Sequence, residues 1–455
     1  MTRLLVCTTL SLSVLLAPLA ARQDREGSQA RRAAVRFSVA LGDQGFNRVE
    51  GIPFKLGLIG RGPGPEPFQG QAHVLVRSNP TVNLDQVGFE ARAEKLFGQR
   101  QRLMIGVQGY GDVTTMETRG LSTLDNSLTG IVFHQDYRDY YQRFGILGYA
   151  TYAPRGKPYQ IGVEFRHEKQ EWLNAGTANT LFENNTAWRP QPLIAEGTVQ
   201  SLEAGVRLDT RTGPFFARGG GWFAEASVTK VFGGDLIFPT VRSDFNDRTS
   251  VIPFPVIDAS LTRGTIDVRR YNDIGNASVN LRAFAGGALT DDPLPPQFQH
   301  ALGGRGTLPG TDGLQEDPML TTSAMDCAAR RDIVFSSEVG VLTPGAFPQY
   351  GCDRFVLLQA QVEGYFGFRI GDDTRDIRDE ATNINLELIP RWVVFFNAAR
   401  AWTLGDMGPF VRTDEDWKSD VGGGIAFGDL GFFVAAPLQG SDKKPNFLVR
   451  LGSRF

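Results

Sequence analysis

The residues able to make or break bonds are few and stand apart. The histidines are His73, His134, His167 and His300. Ester hydrolysis would need one of them joined to a nucleophilic serine and an orienting polar partner. His167 lies near the end of an alternating segment, but no serine stands out beside it. The chain has no H-E-x-x-H, no C-x-x-C and no G-x-S-x-G. Asp372-Asp373-Thr374-Arg375-Asp376 carries carboxylates that suit a divalent cation; it reads more simply as a solvated loop. Cys7 falls in an apolar leader, which leaves Cys327 and Cys352 in one long irregular stretch. In an oxidising compartment these two form either a loop disulfide or two free thiols, and the sequence leaves both open. Trp392, Trp402 and Trp417 fall near segment ends, where belt aromatics sit, and do not suggest a ligand cage. The expectation is a protein that is not an enzyme, with no catalytic residues, no metal and no cofactor.

With reactive groups this sparse, the information lies in the elements that carry them. The chain has 455 residues, 21% of them charged, and a net charge of -3 at pH 7. It lacks the basic excess that nucleic-acid binding requires. Gly 53 and 11% aromatics suit many strands, tight turns and aromatic girdles. A mean hydropathy of -0.19 does not fit a bundle of membrane helices, which needs runs of about 18 or more apolar residues. The one run that comes near is at the start. Arg3, the apolar stretch Leu4 to Leu16 and Ala17-Pro18-Leu19-Ala20-Ala21 read as a signal peptide over residues 1–21. Residues 22–50 read as a flexible charged lead, with one short element at Ala34–Leu41, and 51–455 as a single barrel domain.

From Gly51 the pattern has period two. Tyr159, Ile161, Val163 and Phe165 are apolar, while Gln160, Gly162, Glu164 and Arg166 between them are small or polar. The same alternation recurs around Phe89, Leu202, Leu281 and Leu358. In a membrane barrel such an apolar row faces lipid and the charged row faces the lumen. About 15 segments of this kind can be counted, close to the even ~16 common among bacterial barrels of this size. The missing one is expected in Gly130–Gln135 or Val251–Ile257. Short connections at 98–102 and 155–158 alternate with long ones at 112–139, 172–199, 233–263 and 291–354. The last segment puts Phe447, Val449, Leu451, Ser453 and Phe455 on one face, with Leu448, Arg450 and Arg454 on the other. A terminal strand of this kind, ending on an aromatic, is the signal read by the barrel-assembly machinery. The predicted fold is all-β: a transmembrane antiparallel β-barrel of 16 strands in the cell outer membrane, with lipid as its surroundings.

Four stretches resemble the BamA/TamA superfamily of outer-membrane assembly and translocation barrels, the bacterial surface antigen family. They are Phe46-Asn47-Arg48-Val49-Glu50-Gly51, Leu208-Asp209-Thr210-Arg211, Leu302-Gly303-Gly304-Arg305-Gly306, and the tail from Val393 through Gly422-Gly423-Gly424 to the closing strand. The first looks like the lead into the family's first barrel strand. The resemblance implies that the loop carrying Gly303, Gly304, Arg305 and Gly306 folds into the lumen and that Arg305 pairs with an acid on a neighbouring strand. A partly desolvated guanidinium needs such a carboxylate, and Glu363 is the preferred partner, with Asn397 at the position of the family's aspartate. Thr307 stands where the family has an aromatic, and Ala399 where it has a glycine. Residues 22–50 are too few for a POTRA module, so a POTRA-bearing or periplasmic partner would have to supply one. The implied function is outer-membrane protein assembly or polypeptide translocation. The alternatives are a passive porin-like solute channel and, with least support, a barrel lipase.

Overall fold

The computed structural model describes residues 33–454, apart from 65, 80–87, 99–101, 118–119, 174–177, 183–187, 189–190, 192–193, 212–219, 238–240, 246–247, 253–255, 259, 311–350, 367–376, 380–383, 387–389, 405–415, 440–443 and 452–453. Residues 1–21, read above as a signal peptide, Cys327, Phe455 and the acidic run 372–376 lie outside the described residues.

Strands dominate, each laid against the next. In chain order they are β1 (Ala34–Leu41), β2 (Pro53–Arg61), β3 (Phe68–Arg77), β4 (Gly88–Phe97), β5 (Leu103–Thr115), β6 (Tyr140–Tyr152), β7 (Tyr159–Glu171), β8 (Glu196–Asp209), β9 (Gly221–Ile237), β10 (Leu261–Ile274), β11 (Ala277–Ala288), β12 (Arg354–Tyr365), β13 (Arg391–Trp402), β14 (Lys418–Phe427), β15 (Leu430–Pro437) and β16 (Asn446–Leu451). Every pairing is antiparallel, and each strand pairs with its neighbours in sequence. The seventeenth member of the sheet, Val256–Asp258, lies along β9 just beyond β10 and so extends that position. The sheet therefore has 16 positions, as the alternation predicts. Among the described residues, no ladder joins β16 back to β1.

Period two decides the faces. On β7, Ile161, Val163 and Phe165 are exposed, while Glu164 and Glu168 are buried. On β12, Leu358 and Val362 are exposed, and Gln359 and Gln361 are buried. A sheet that exposes its apolar row and buries its charged row is inverted relative to a water-soluble sandwich, which is the membrane-barrel arrangement. The buried charges pair across the lumen wall. Arg143 meets Asp112 at 2.7 Å, Lys55 meets Glu90 at 2.5 Å, and Asp267 bridges Arg269 and Arg282 at 2.6 and 2.8 Å. At one end a tight turn joins β10 to β11, where Gly275, at φ 60, supplies the left-handed residue. Among the described residues, β16 has 6 and β15 has 8, whereas β9 has 17.

Three expectations are corrected. The barrel begins ahead of residue 51: Ala34–Leu41 is a full strand of the sheet, paired with β2 from Ala34↔Arg61 to Leu41↔Phe54. It is the sixteenth strand that the counting lacked. The stretch Gly130–Gln135 is not a strand but belongs mainly to a helix, α1 (Thr123–Phe133). Ser122 caps α1 by accepting from the Asp125 N–H. Its buried face is polar (Asp125, Asn126 and Thr129), so it gives none of the apolar stripe by which a helix is read. The other candidate stretch, Val251–Ile257, supplies only part of a hairpin (Arg248–Ile252 against Val241–Phe245) and part of the β10 extension.

Candidate functional site

Three pieces from the long-loop end pack together inside the sheet beside β16: the β1–β2 connection, α1 with the residues that follow it, and the 294–310 part of the β11–β12 connection. Phe46, Val49, Leu294, Phe298, Leu302 and Leu308 in these pieces are all buried.

The first two pieces are held by a buried polar hub. Arg48 is 0% exposed and lies 2.7 Å from the Asp139 carboxylate and 3.7 Å from that of Asp136. It also donates to the Arg138 carbonyl. Asp136 accepts in addition from the Arg48 N–H, Asn126, the Arg138 N–H and the Tyr140 hydroxyl. Burial alone would pull the Arg48 guanidinium down, but the two aspartates beside it hold it above its ordinary value. The stretch beginning at Phe46 therefore does not lead into the first strand. It follows β1, dives into the lumen and anchors the plug.

The third piece carries Gly303, Gly304, Arg305 and Gly306. Gly303 at φ 121 and Gly304 at φ 72 take backbone shapes that side chains disfavour, which turns the chain sharply. Thr307 closes the turn, its hydroxyl accepting from the Gly303 N–H at 2.8 Å and donating to the Gly303 carbonyl at 3.1 Å. Threonine at 307 thus ties the loop to itself.

Arg305 does not meet Glu363. Its guanidinium donates to the Val449 carbonyl on β16 at 3.3 Å and lies 5.0 Å from the centre of the Tyr137 ring. Glu363 is occupied by Arg391 at 3.3 Å and by Ser278 at 3.1 Å. The reason is register. The loop tip is level with Gln359, which donates to the Thr307 carbonyl. Glu363 is four residues further along β12, about 13 Å away at ~3.3 Å per residue.

Asn397 does hold an arginine, but the arginine comes from the tail. Arg454 donates to the Asn397 side-chain carbonyl at 3.0 Å, with its guanidinium 3.5 Å from the centre of the Phe395 ring. The Asn397 amide donates to Asp420 at 2.5 Å, and Asp420 is its directly opposed neighbour on β14. Asp420 also accepts the Gly310 N–H at 2.8 Å. The acid missing at 397 is thus present one strand over, where it fastens the loop backbone. Asp420→Ala would leave the Gly310 N–H and the Asn397 amide buried without an acceptor. It is expected to cost about 1–3 kcal/mol, measured as a lower denaturant midpoint for the refolded barrel.

The closing strand meets the plug directly. On β16, Phe447, Val449 and Leu451 turn outward, with Phe447 well exposed, while Leu448 and Arg450 are buried. The Leu451 N–H donates to Asp125 of α1 at 2.5 Å, and its carbonyl accepts from Ser122 at 3.3 Å. Burial pushes the Asp125 carboxyl above its ordinary value, offset in part by Arg450 and the Leu451 N–H. A raised carboxylate contributes stability that is present below the ordinary carboxylate range and lost as pH rises through the raised value. Asp125→Asn carries no such penalty. The variant should match the parent at acid pH and become the more heat-resistant of the two as pH rises to neutral, as read from unfolding midpoints in detergent across that range.

The histidines occupy four separate settings. His73 is buried in the lumen wall, and His134 ends α1 with its ring 3.6 Å from the centre of Trp188. His300 lies 3.5 Å from Glu117, and His167 is exposed on β7. Among the described residues, no group of three or more His, Cys, Asp or Glu is placed to hold a metal ion. Cys352 is disulfide-bonded; Cys327 lies outside the described residues. Sequence reading missed Arg48, Ser122, Asp125, Asp420 and Arg454 as site residues. The one available signal was Ser122-x-x-Asp125 just ahead of an apolar run, a helix-start pattern.

No family model and no curated protein matches the sequence. Solved structures do. The chain is similar to BamA from Haemophilus ducreyi lacking POTRA domains 1-3, with a TM-score of 0.51 and 12% identity over 93% of this chain and 70% of that one. CdiB from Acinetobacter baumannii gives 0.35 and 10%, over 93% of this chain and 66% of that one. OccK8 (OprE) from Pseudomonas aeruginosa gives 0.27 and 10%, over 92% and 96%. The BamA likeness is one of fold. It agrees with the strand order, the pairing and the outward apolar row in making this chain a 16-stranded transmembrane barrel.

Proposed function

We infer that this protein is an outer-membrane barrel that handles other polypeptides, in outer-membrane protein assembly or polypeptide translocation. The observation that carries the reading is the seam. β1 pairs along one edge with β2, and among the described residues its other edge has no strand. Val35, Phe37 and Val39 on β1 are exposed. A bare strand edge is a template for an added strand, and a passive pore has no use for one. Lipid surrounds the outward apolar row. The barrel-assembly machinery acts during biogenesis, and a POTRA-bearing partner would present the cargo.

A quantitative outer-membrane proteome with and without this protein tests the reading. Selective loss of several other barrels, or of one exported protein, is the expected result. An unchanged proteome sinks the assembly and transport reading. The charged lumen wall, with both signs paired along it, then favours the solute channel, and bilayer conductance is the follow-up.

A further inference from the structure

The edge of β16 that faces the seam is already occupied. The Leu451 N–H and carbonyl are taken by Asp125 and Ser122, and the Val449 carbonyl by Arg305. Residues two apart on a strand turn their backbone groups to the same neighbour. Val449 and Leu451 share one parity, and the Leu451 N–H serves the plug rather than β15. These are therefore the groups that β1 would meet if the sheet closed into a cylinder. The Leu451 N–H has one hydrogen to donate, so it cannot serve Asp125 and β1 together.

Helix α1 also grips the other flank of the seam. The Phe46 N–H, just past β1, donates to Ser127 at 3.0 Å. Gly130 packs so closely on the Phe46 ring that a methyl group there would lie 2.7 Å from it. The helix thus touches β16 through its first turn and the β1–β2 connection through its middle.

We propose that helix α1 and strand β1 are alternative partners for one edge of β16. With α1 latched through Ser122 and Asp125, the seam carries no ladder. With those side chains withdrawn, β1 zips onto Val449 and Leu451 and the sheet closes. Plug position and seam state exclude each other, whatever cargo the barrel handles. The inference therefore does not depend on the proteome result.

Oxidative cross-linking in native membranes tests it, using the full-length chain with a cysteine at Val449 combined in turn with one at Val35, Phe37 or Val39. With the latch intact, cross-linking should be low. Ser122→Ala with Asp125→Ala should raise it at least about fivefold, the size of shift expected when charge-assisted hydrogen bonds leave a two-state balance. Asp125→Asn keeps an acceptor for the Leu451 N–H and should stay near the parent. Strong cross-linking with the latch intact overturns the proposal. So does an unchanged yield in a double variant that still shifts on heating in gels, as folded barrels do. Should the double variant fail to fold, Ser122→Ala alone carries the test: a smaller rise is expected, and no rise in a folded protein counts against the latch.

Discussion

Arg48→Ala is expected to destabilise the folded barrel by about 3–5 kcal/mol, the cost typical of removing one partner from a fully buried ion pair. Arg48 and both its aspartates are sealed from solvent, with side chains 0% exposed on either side of each pair. The substitution removes the cation that faces both carboxylates. Asp136 keeps donors from Asn126, Tyr140 and the Arg138 backbone. The loss should also reach Asp139, which is 2.7 Å from Arg48. Adding Asp139→Asn to Arg48→Ala should therefore recover part of the loss, and the coupling is measured by the double-mutant cycle. Arg48→Lys should recover less than half, since one ammonium cannot reproduce a fork that reaches Asp139 and the Arg138 carbonyl together. Denaturant midpoints of the refolded protein give the energies. Faster proteolysis of the β1–β2 connection would show that the plug, rather than the strand ladder, has loosened.

The wall of the barrel was legible in the sequence because period two is a local property. Each strand announces itself through residues two apart, as Ile161, Val163 and Phe165 do on β7. The plug was not legible, because its order comes from contacts between segments far apart in the chain. Arg48 meets Asp139, 91 residues away, and Asp125 meets Leu451, 326 residues away. Polar burial compounds the difficulty. Inside a barrel the interior is polar, so Asp125, Asn126 and Thr129 form the packed face of α1, while Phe133 on the same helix is well exposed. A rule that sends apolar residues inward misreads such a helix, and the apolar run Ile131-Val132-Phe133 makes Gly130–Gln135 one of two candidates for a strand. Arg305 illustrates the third gap. The sequence says that a luminal arginine needs partners, but only strand register says which. Register placed Gln359 rather than Glu363 level with the loop, and brought Arg454 to Asn397.

Removing α1 should open the barrel to ions. Replacing 123–133 with a short Gly/Ser linker is expected to raise single-channel conductance in planar bilayers roughly tenfold or more, because barrels of this strand number leave an aqueous channel once emptied. The helix is the right size to matter: with side chains it is about 10–12 Å wide, and Asn126 and Thr129 on it are buried. Deleting 303–310 should raise conductance less. That segment lies against one flank, at Asp420, Gln359 and Val449, and its loss leaves α1 anchored by Arg138, which donates to the Leu121 carbonyl at 2.7 Å. The order of the two deletions therefore reports which piece is the stopper. If both together leave the current at the parent's level, the lumen is closed by something other than the plug. If the helix deletion alone opens it, the arginine loop is a fastener for β16 and the helix is the gate.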